Sequence, residues 1–192
     1  MASTDGCREQ DRYTQLTPVQ EVDYENLKER LLADKQVLDY ARKPKVVSPK
    51  GIDPKKLEGL VTDDSRASGI DGWVKGSSLT PFVGNGYRHD NNEKKGKLAV
   101  TFSAKIPTSG KYEVRISWTP HSNRATNVPI NVEHSGGSKK FTLNQREEPA
   151  AGSAFRSLGT FDFTKGHDAK VTIANEGTDG HVIVDAVEWL KK

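Results

Sequence analysis

"VTFSAKIPTSGKYEVRISW", residues 100–118, decides the fold. Apolar side chains occupy every second position on both sides of a polar "TSGK": Val100, Phe102, Ala104 and Ile106, then Tyr112, Val114, Ile116 and Trp118. A period of two puts each set on one face of an extended strand. The same alternation returns at Val128, Ile130 and Val132, at Phe141 and Leu143, at Phe161 and Phe163, and at Val171 and Ile173. Between these runs lie "HSGGSKK", "TKGHDAK" and "NEGTDG", clusters of turn-forming residues. The closing "HVIVDAVEWL" is apolar almost throughout, broken by Asp185 and Glu188, and reads as a central strand buried on both faces. Nothing alternates as strand, helix and parallel strand. The expected fold class is therefore all-β: an antiparallel two-sheet β-sandwich, jelly-roll-like, over residues 60–192.

Upstream the pattern changes. In "PVQEVDYENLKERLLADKQVLDY", Tyr24, Leu27, Leu31 and Leu38 recur near helical spacing with Glu and Lys on the other faces. This predicts an amphipathic helix from about Asp23 to Tyr40 within a helical segment 18–42. The stretch 43–59, with Pro44, Pro49 and Pro54, reads as a linker, and the polar, unpatterned residues 1–17 as a disordered end.

Composition removes several function classes. The 29 Lys and Arg oppose 26 Asp and Glu, and the lysines come in short pairs beside glycine rather than as a stripe, so no nucleic-acid partner is expected. The single cysteine, Cys7, makes neither an internal disulfide framework nor a cysteine-based zinc site. No apolar run reaches the roughly 18 residues of a membrane span, and the polar start carries no secretory pattern, so a soluble chain is expected.

Three polar islands interrupt the strands. The first is "GNGYRHDNN", residues 84–92, where His89 beside Asp90 suits a general base or a metal ligand. No HExxH or Cys/His pairing accompanies any of the five histidines, and the "GNG" lacks the rest of a dinucleotide loop. The alternative is a tight loop, with glycines at positive φ, Asp and Asn bonding their own backbone, and Tyr87 as anchor. The second island, "TPHSNRATNVPINVEH" (119–134), offers Arg124, Asn123 and Asn127, donors suited to sugar hydroxyls or carboxylates. The third, "LNQREEP", carries Asn144, Gln145 and Arg146, which either contact a ligand or brace the backbone at a strand end. No GxSxG or other local nucleophile motif is present.

Asp185 is a further oddity, because a carboxylate inside a buried strand must be hydrogen-bonded, paired or bound to a cation. If the first and last strands pair, Asp63 and Asp64 of "VTDDSRASG" come near it, and a structural calcium held by Asp63, Asp64 and Asp185 is one expectation. Backbone hydrogen bonds to Asp185 are the other.

The stretches "VTDDSRASGIDGW", "PFVGNGYRHDNN", "IPTSGKYEVRISWTPHSNRATNVPINVEHSGG", "LNQR", "SLGTFDFTKG" and "VIVDAVEWL" together resemble the carbohydrate-binding-like domain shared by golvesin and xanthan lyase proteins. The resemblance covers residues 60–192 and implies a carbohydrate-binding-module-like β-sandwich. It is nearest to versions at the C-terminus of bacterial FAD-dependent oxidoreductases, and residues 18–38 are similar to the closing helical part of such an enzyme. His89, Arg124, Asn127, Asn144, Gln145 and Arg146 fall on family motif positions. Phe155 in "AFRSLG" stands where related domains often carry a tryptophan.

The resemblance implies a noncatalytic accessory domain that binds a polysaccharide or glycan, with Trp73 or Tyr87 as a stacking surface. With no dinucleotide fingerprint, this segment is expected to bind no FAD, though it could contact a flavin-enzyme domain outside this chain. The parent protein would be secreted or periplasmic. Two alternatives stand beside this reading. One is a structural, docking or self-association domain without a sugar ligand. The other is a polysaccharide-active enzyme using His89 and Arg124.

Overall fold

The period-two runs become the strands of two facing antiparallel sheets. A computed structural model describes residues 26–27, 29–30, 50–150 and 153–192. Asn26, Leu27, Glu29 and Arg30 are helical; the rest of the helix expected over 23–40, the end 1–17, and the linker up to residue 49 lie outside the described residues. Among the described residues no helix is long and apolar enough to cross a membrane.

In chain order the strands are β1 (Leu60–Asp63), β2 (Val74–Gly76), β3 (Tyr87–His89), β4 (Ala99–Lys105), β5 (Gly110–Ser117), β6 (Val128–His134), β7 (Gly137–Leu143), β8 (Phe155–Phe163), β9 (Asp168–Ala174), β10 (Ile183–Val184) and β11 (Ala186–Lys191). One sheet runs β1-β11-β5-β8 and the other β4-β9-β6-β7, while a small third sheet, β10-β3-β2, sits at one end. The sandwich expectation holds, with this third sheet added.

The alternating residues meet between the large sheets. Val100 and Phe102 of β4, Val171 and Ile173 of β9, and Val128, Ile130 and Val132 of β6 pack against Tyr112, Val114 and Ile116 of β5 and Val187 and Trp189 of β11. Each such buried side chain contributes about 1.5–3 kcal/mol relative to exposure. β7 is an edge strand, which explains why "GSKK" pairs with β6 although it reads as a turn. An edge needs only one bonded neighbour, and Lys139 and Lys140 discourage a second.

The closing apolar run does not form one strand. It divides at Asp185, β10 joining the small sheet and β11 lying centrally between β1 and β5. Ala186, Val187, Glu188 and Trp189 are all buried, so β11 is covered on both faces as its sequence predicts.

The outer cover of β11 comes from two unexpected places. Ile52 and Leu57, within the stretch read as linker, pack with Val83, Ala154, Phe155 and Ala186 on the outer face of the sheet. Ile52 donates its N–H to Phe82 O and its carbonyl accepts from Gly84 N, both at 2.8 Å. Residues from 50 onward therefore belong to the domain, because an apolar side chain every few positions lets a Pro-rich segment pay its ordering cost. Phe155 reaches this face because β8 carries one extra residue, Leu158, opposite the Val114–Arg115 step of β5. Gly159 supplies the φ of +125° at this bulge.

Candidate functional site

The three polar islands gather around the small sheet. His89 of β3 pairs with Val74 of β2 on one side and Ile183 of β10 on the other. The β5–β6 loop is stitched to the turn before β10 by His181 N to Asn123 O at 3.0 Å and Ala125 N to His181 O at 2.9 Å. Gly180 permits this closeness: a Cβ there would lie 2.7 Å from the carbonyl carbon of Arg124. Between these elements opens a pocket of about 260 Å³ lined by His89, His121, Asn123, Arg124 and His181, with Tyr87, Ser78 and Leu79 completing it.

Arg124 is the fixed charge of this pocket. Its side chain is buried, Nε donates to Thr119 O at 3.2 Å and Nη1 to Asn123 Oδ1 at 3.0 Å. The guanidinium lies 5.9 Å over the Tyr87 ring. His121 Nδ1 sits 2.9 Å from the same Asn123 Oδ1. The rings of His89 and His181 meet edge to face, 6.1 Å apart.

Burial lowers the His89 pKa, and the neighbouring His181 ring and Arg124 charge push it further the same way against a smaller upward pull from Asp90. Burial also lowers His181, where Asp90 pulls upward and Arg124, Lys95 and His121 pull down. Both imidazoles are therefore neutral near pH 7. His89 Nδ1 accepts the Asn91 N–H at 3.2 Å, so the neutral ring carries its proton on Nε2.

The other expected residues brace this arrangement. Asp90 is buried: Oδ1 accepts from Asn92 N and Val182 N, and Oδ2 from Lys95 Nζ at 2.7 Å and Asn175 Nδ2 at 3.1 Å. Burial alone would raise its pKa, but the Lys95 and N–H donors outweigh that and hold it below the usual carboxylate range. Lys95 also donates to Thr178 Oγ1 and Gly180 O, so it clamps the turn that carries His181.

Asn127 bridges Gly177 O and Asp179 N, and Arg146 Nε holds the Arg124 carbonyl at 2.8 Å. Fully buried Gln145 exchanges two hydrogen bonds with the backbone of Ile183. Asn144 accepts from Arg146 N and donates to Glu147. Of the two readings for the third island, the bracing one is what these bonds describe.

The stacking expectation is corrected. Trp73 is 5% exposed and lies in the main core, and Tyr87 is 3% exposed, its ring packed where Gly76 leaves room. Apolar cores claim large rings ahead of solvent, so neither offers an open platform. Phe155 is likewise consumed in the outer cluster. Asn123, expected beside Arg124 as a donor, lines the pocket, and so do His121 and His181, to which the sequence assigned no role. Asn123 and His121 were legible as members of the second island, whereas His181 arrives through a bridge to Arg124 that no local pattern announces.

The acidic trio does come together, since β1 pairs with β11 and Asp64 N donates to Asp185 O at 2.7 Å. Each carboxylate nevertheless has its own partners. Asp185 is fully buried, accepting from Val83 N and Ser117 Oγ, and burial raises its pKa well above the carboxylate range. Burial, with Asp63 adding to it, raises Asp64 to about 6, even though Arg88 Nε pairs with it at 3.0 Å. Asp63 accepts from Ser65, while its Oδ1 is buried without a partner. Among the described residues no group of three or more His, Cys, Asp or Glu side chains is placed to hold a metal ion. Hydrogen bonding and the Arg88 pair engage the carboxylates of the expected calcium arrangement, Asp63, Asp64 and Asp185, with Asp63 Oδ1 excepted.

Comparison with known proteins places this geometry. The chain is similar to a xanthan lyase of Bacillus sp. (strain GL1), 33% identical over 141 residues, which are 70% of this chain and 15% of that protein. The solved Paenibacillus xanthan lyase superposes with a TM-score of 0.64 at 36% identity, over 70% of this chain and 13% of that one. The present chain thus spans only a small part of the relatives it matches. A Podospora anserina GH26-CBM35 beta-(1,4)-mannanase shares the fold, with a TM-score of 0.51 at 14% identity over 71% of this chain and 28% of that one. The family model for the Golvesin C-terminal domain matches residues 60–191, and the chain belongs to that family.

Proposed function

We propose that the domain is a noncatalytic saccharide-binding module and that its ligand sits in the His89–His121–Arg124–His181 pocket. The observation that carries this reading is the convergence, on one open pocket, of donors from three separate chain segments held by bracing bonds. Side chains fixed in this way lose little freedom when a ligand arrives, which is how a shallow polar site reaches useful affinity. The volume matches roughly nine water molecules at ~30 Å³ each, room for one sugar ring or its substituents. The carbohydrate-binding-module-like fold supports the same assignment.

Catalysis is disfavoured by the tautomer of His89. With its proton on Nε2 and Nδ1 committed to Asn91, the neutral ring has no free lone pair to act as a base. The pocket lining also contains no carboxylate to serve as an acid.

In a larger protein the module would act as an accessory domain of a secreted or periplasmic enzyme. The resemblance of residues 18–38 to the close of a flavin oxidoreductase domain supports an FAD-dependent parent. Glycan-array screening followed by calorimetry on the full chain tests the binding role. Exposed His121 replaced by Ala should weaken binding several-fold without changing the thermal midpoint, and a blank array with neutral and acidic polysaccharides would remove the proposal.

A further inference from the structure

We propose that the ligand of this pocket is an anionic saccharide, a sugar bearing a carboxylate, and that the pocket takes up a proton as it binds. This rests on the saccharide reading and narrows it.

The lining supplies one guanidinium, Arg124, and three imidazoles, His89, His121 and His181, with no carboxylate among them. Arg124 is an unusual group to bury at such a place, since it forms no ion pair among the described residues: Thr119 O and Asn123 Oδ1, both neutral, accept from it, with the Tyr87 side chain beside it and Asp90 acting on it only at longer range. A buried cation held only by neutral acceptors is an incomplete pair, and an incoming carboxylate completes it with fork geometry.

The charged and titratable groups facing His89 and His181 are Arg124 and His121 from the β5–β6 loop, Asp90 at the end of β3, and Lys95 from the loop after it. From β2 and the segment after it come only neutral neighbours at the pocket, Ser78 and Leu79. Asp90 is saturated by Lys95 and N–H donors, so Arg124 stands as the dominant uncompensated charge. Burial keeps the two imidazoles neutral while the pocket is empty, and the Arg124 charge adds to it. A carboxylate seated against Arg124 cancels the repulsion, and the His181 ring, whose lone pair no hydrogen bond of the fold occupies, becomes the more stable protonated. Binding and protonation are then linked, and affinity rises as pH falls.

Linkage fixes the size of the effect at about tenfold per pH unit for each proton taken up. The gain ends once pH falls through the value of the imidazole in the empty pocket, and it reverses near pH ~3.5–4, where the sugar carboxylate itself protonates. A neutral sugar of the same shape meets no such dependence.

The test compares methyl glucuronide with methyl glucoside, titrated into the full chain by NMR at pH values of about 7.5, 6.5 and 5.5, following the histidine ring protons. The expected result is glucuronide affinity rising at least about tenfold across that range, flat or undetectable glucoside binding, and His181 titrating at higher pH in the complex. His181→Asn, whose side chain makes no hydrogen bond in the fold, should reduce the pH slope while leaving the thermal midpoint in place. Equal affinity for both sugars at every pH overturns the anionic assignment and leaves saccharide binding standing. Glucuronide binding that ignores pH overturns the proton uptake. Silence from both sugars and from the polysaccharide array removes both readings together.

Discussion

Asp90 and Asp185 are buried alike, at 1% and 0% exposure, yet their surroundings drive them in opposite directions. Asp90 has Lys95 within 2.7 Å and three further donors, and remains ionised. Asp185 has one backbone N–H and one hydroxyl, and burial, with Asp63 and Asp64 close enough to repel it, pushes its pKa well up. Burial sets the cost of a charge in both places; the presence of a cation decides whether the cost is met. Asp90 ties together the loops of the pocket, whereas Asp185 marks the hinge where the last apolar run passes from the small sheet to the large one.

Removing the cation breaks the comparison most directly. Lys95→Met leaves the Asp90 carboxylate buried and unpaired, and releases Thr178 and the Gly180 carbonyl as well. Loss of one partner of a buried pair costs 3–5 kcal/mol, and since Lys95 is partly exposed about 2–4 kcal/mol is expected, read by urea unfolding. Sugar binding should fall with it, because the turn carrying His181 loses its clamp.

Amide substitution sharpens the contrast. Asp185→Asn imitates the neutral acid that burial favours and should cost under about 1 kcal/mol, while Asp185→Ala strands Val83 N–H and Ser117 Oγ at about 1–3 kcal/mol. Asp90→Asn should cost more than Asp185→Asn, because it deletes the charge that answers Lys95. Reversal of that order in chemical denaturation would show that Asp185 is ionised in the fold.

The smallest effects are in the pH dependence of stability, and they have opposite signs. The Asp90 pKa is depressed, so its contribution is present above the unfolded value near ~3.9 and fades as pH falls through the folded value. For Asp185 and Asp64 the folded value is raised, so their contribution is full below ~3.9 and is lost as pH rises through it, for Asp64 at about 6. Thermal midpoints across this range should show Asp90→Asn flattening the acid side and Asp185→Asn flattening the decline toward neutral pH.

The large sheets were legible in the chain because their faces differ: Val100 to Ile106 and Tyr112 to Trp118 announce one buried side each. The oddity of Asp185 was legible for the same reason, a polar residue in an apolar run. The small sheet was not, since Val74–Gly76 and Tyr87–His89 are only three residues each and their pairing depends on distant partners. His89 and Arg124 could be singled out by type. Their convergence with His181 could not, because it is created by a turn whose close approach is allowed by Gly180 and secured by Lys95. The burial of Trp73 and Tyr87 was equally hidden, as an aromatic beside polar residues reads alike for a ligand platform and for a core side chain.

The extra residue in β8 behaves like a frameshift in a two-letter code. Downstream of Leu158, Phe161 and Phe163 address the main core; upstream, Phe155, of the same parity, addresses the opposite side. One strand thus writes two messages, closing the sandwich with its second half and fastening residues 52 and 57 over the sheet with its first. Excising that one residue would restore a single phase, send Phe155 inward among side chains already at close packing, and strip the outer layer of its largest ring.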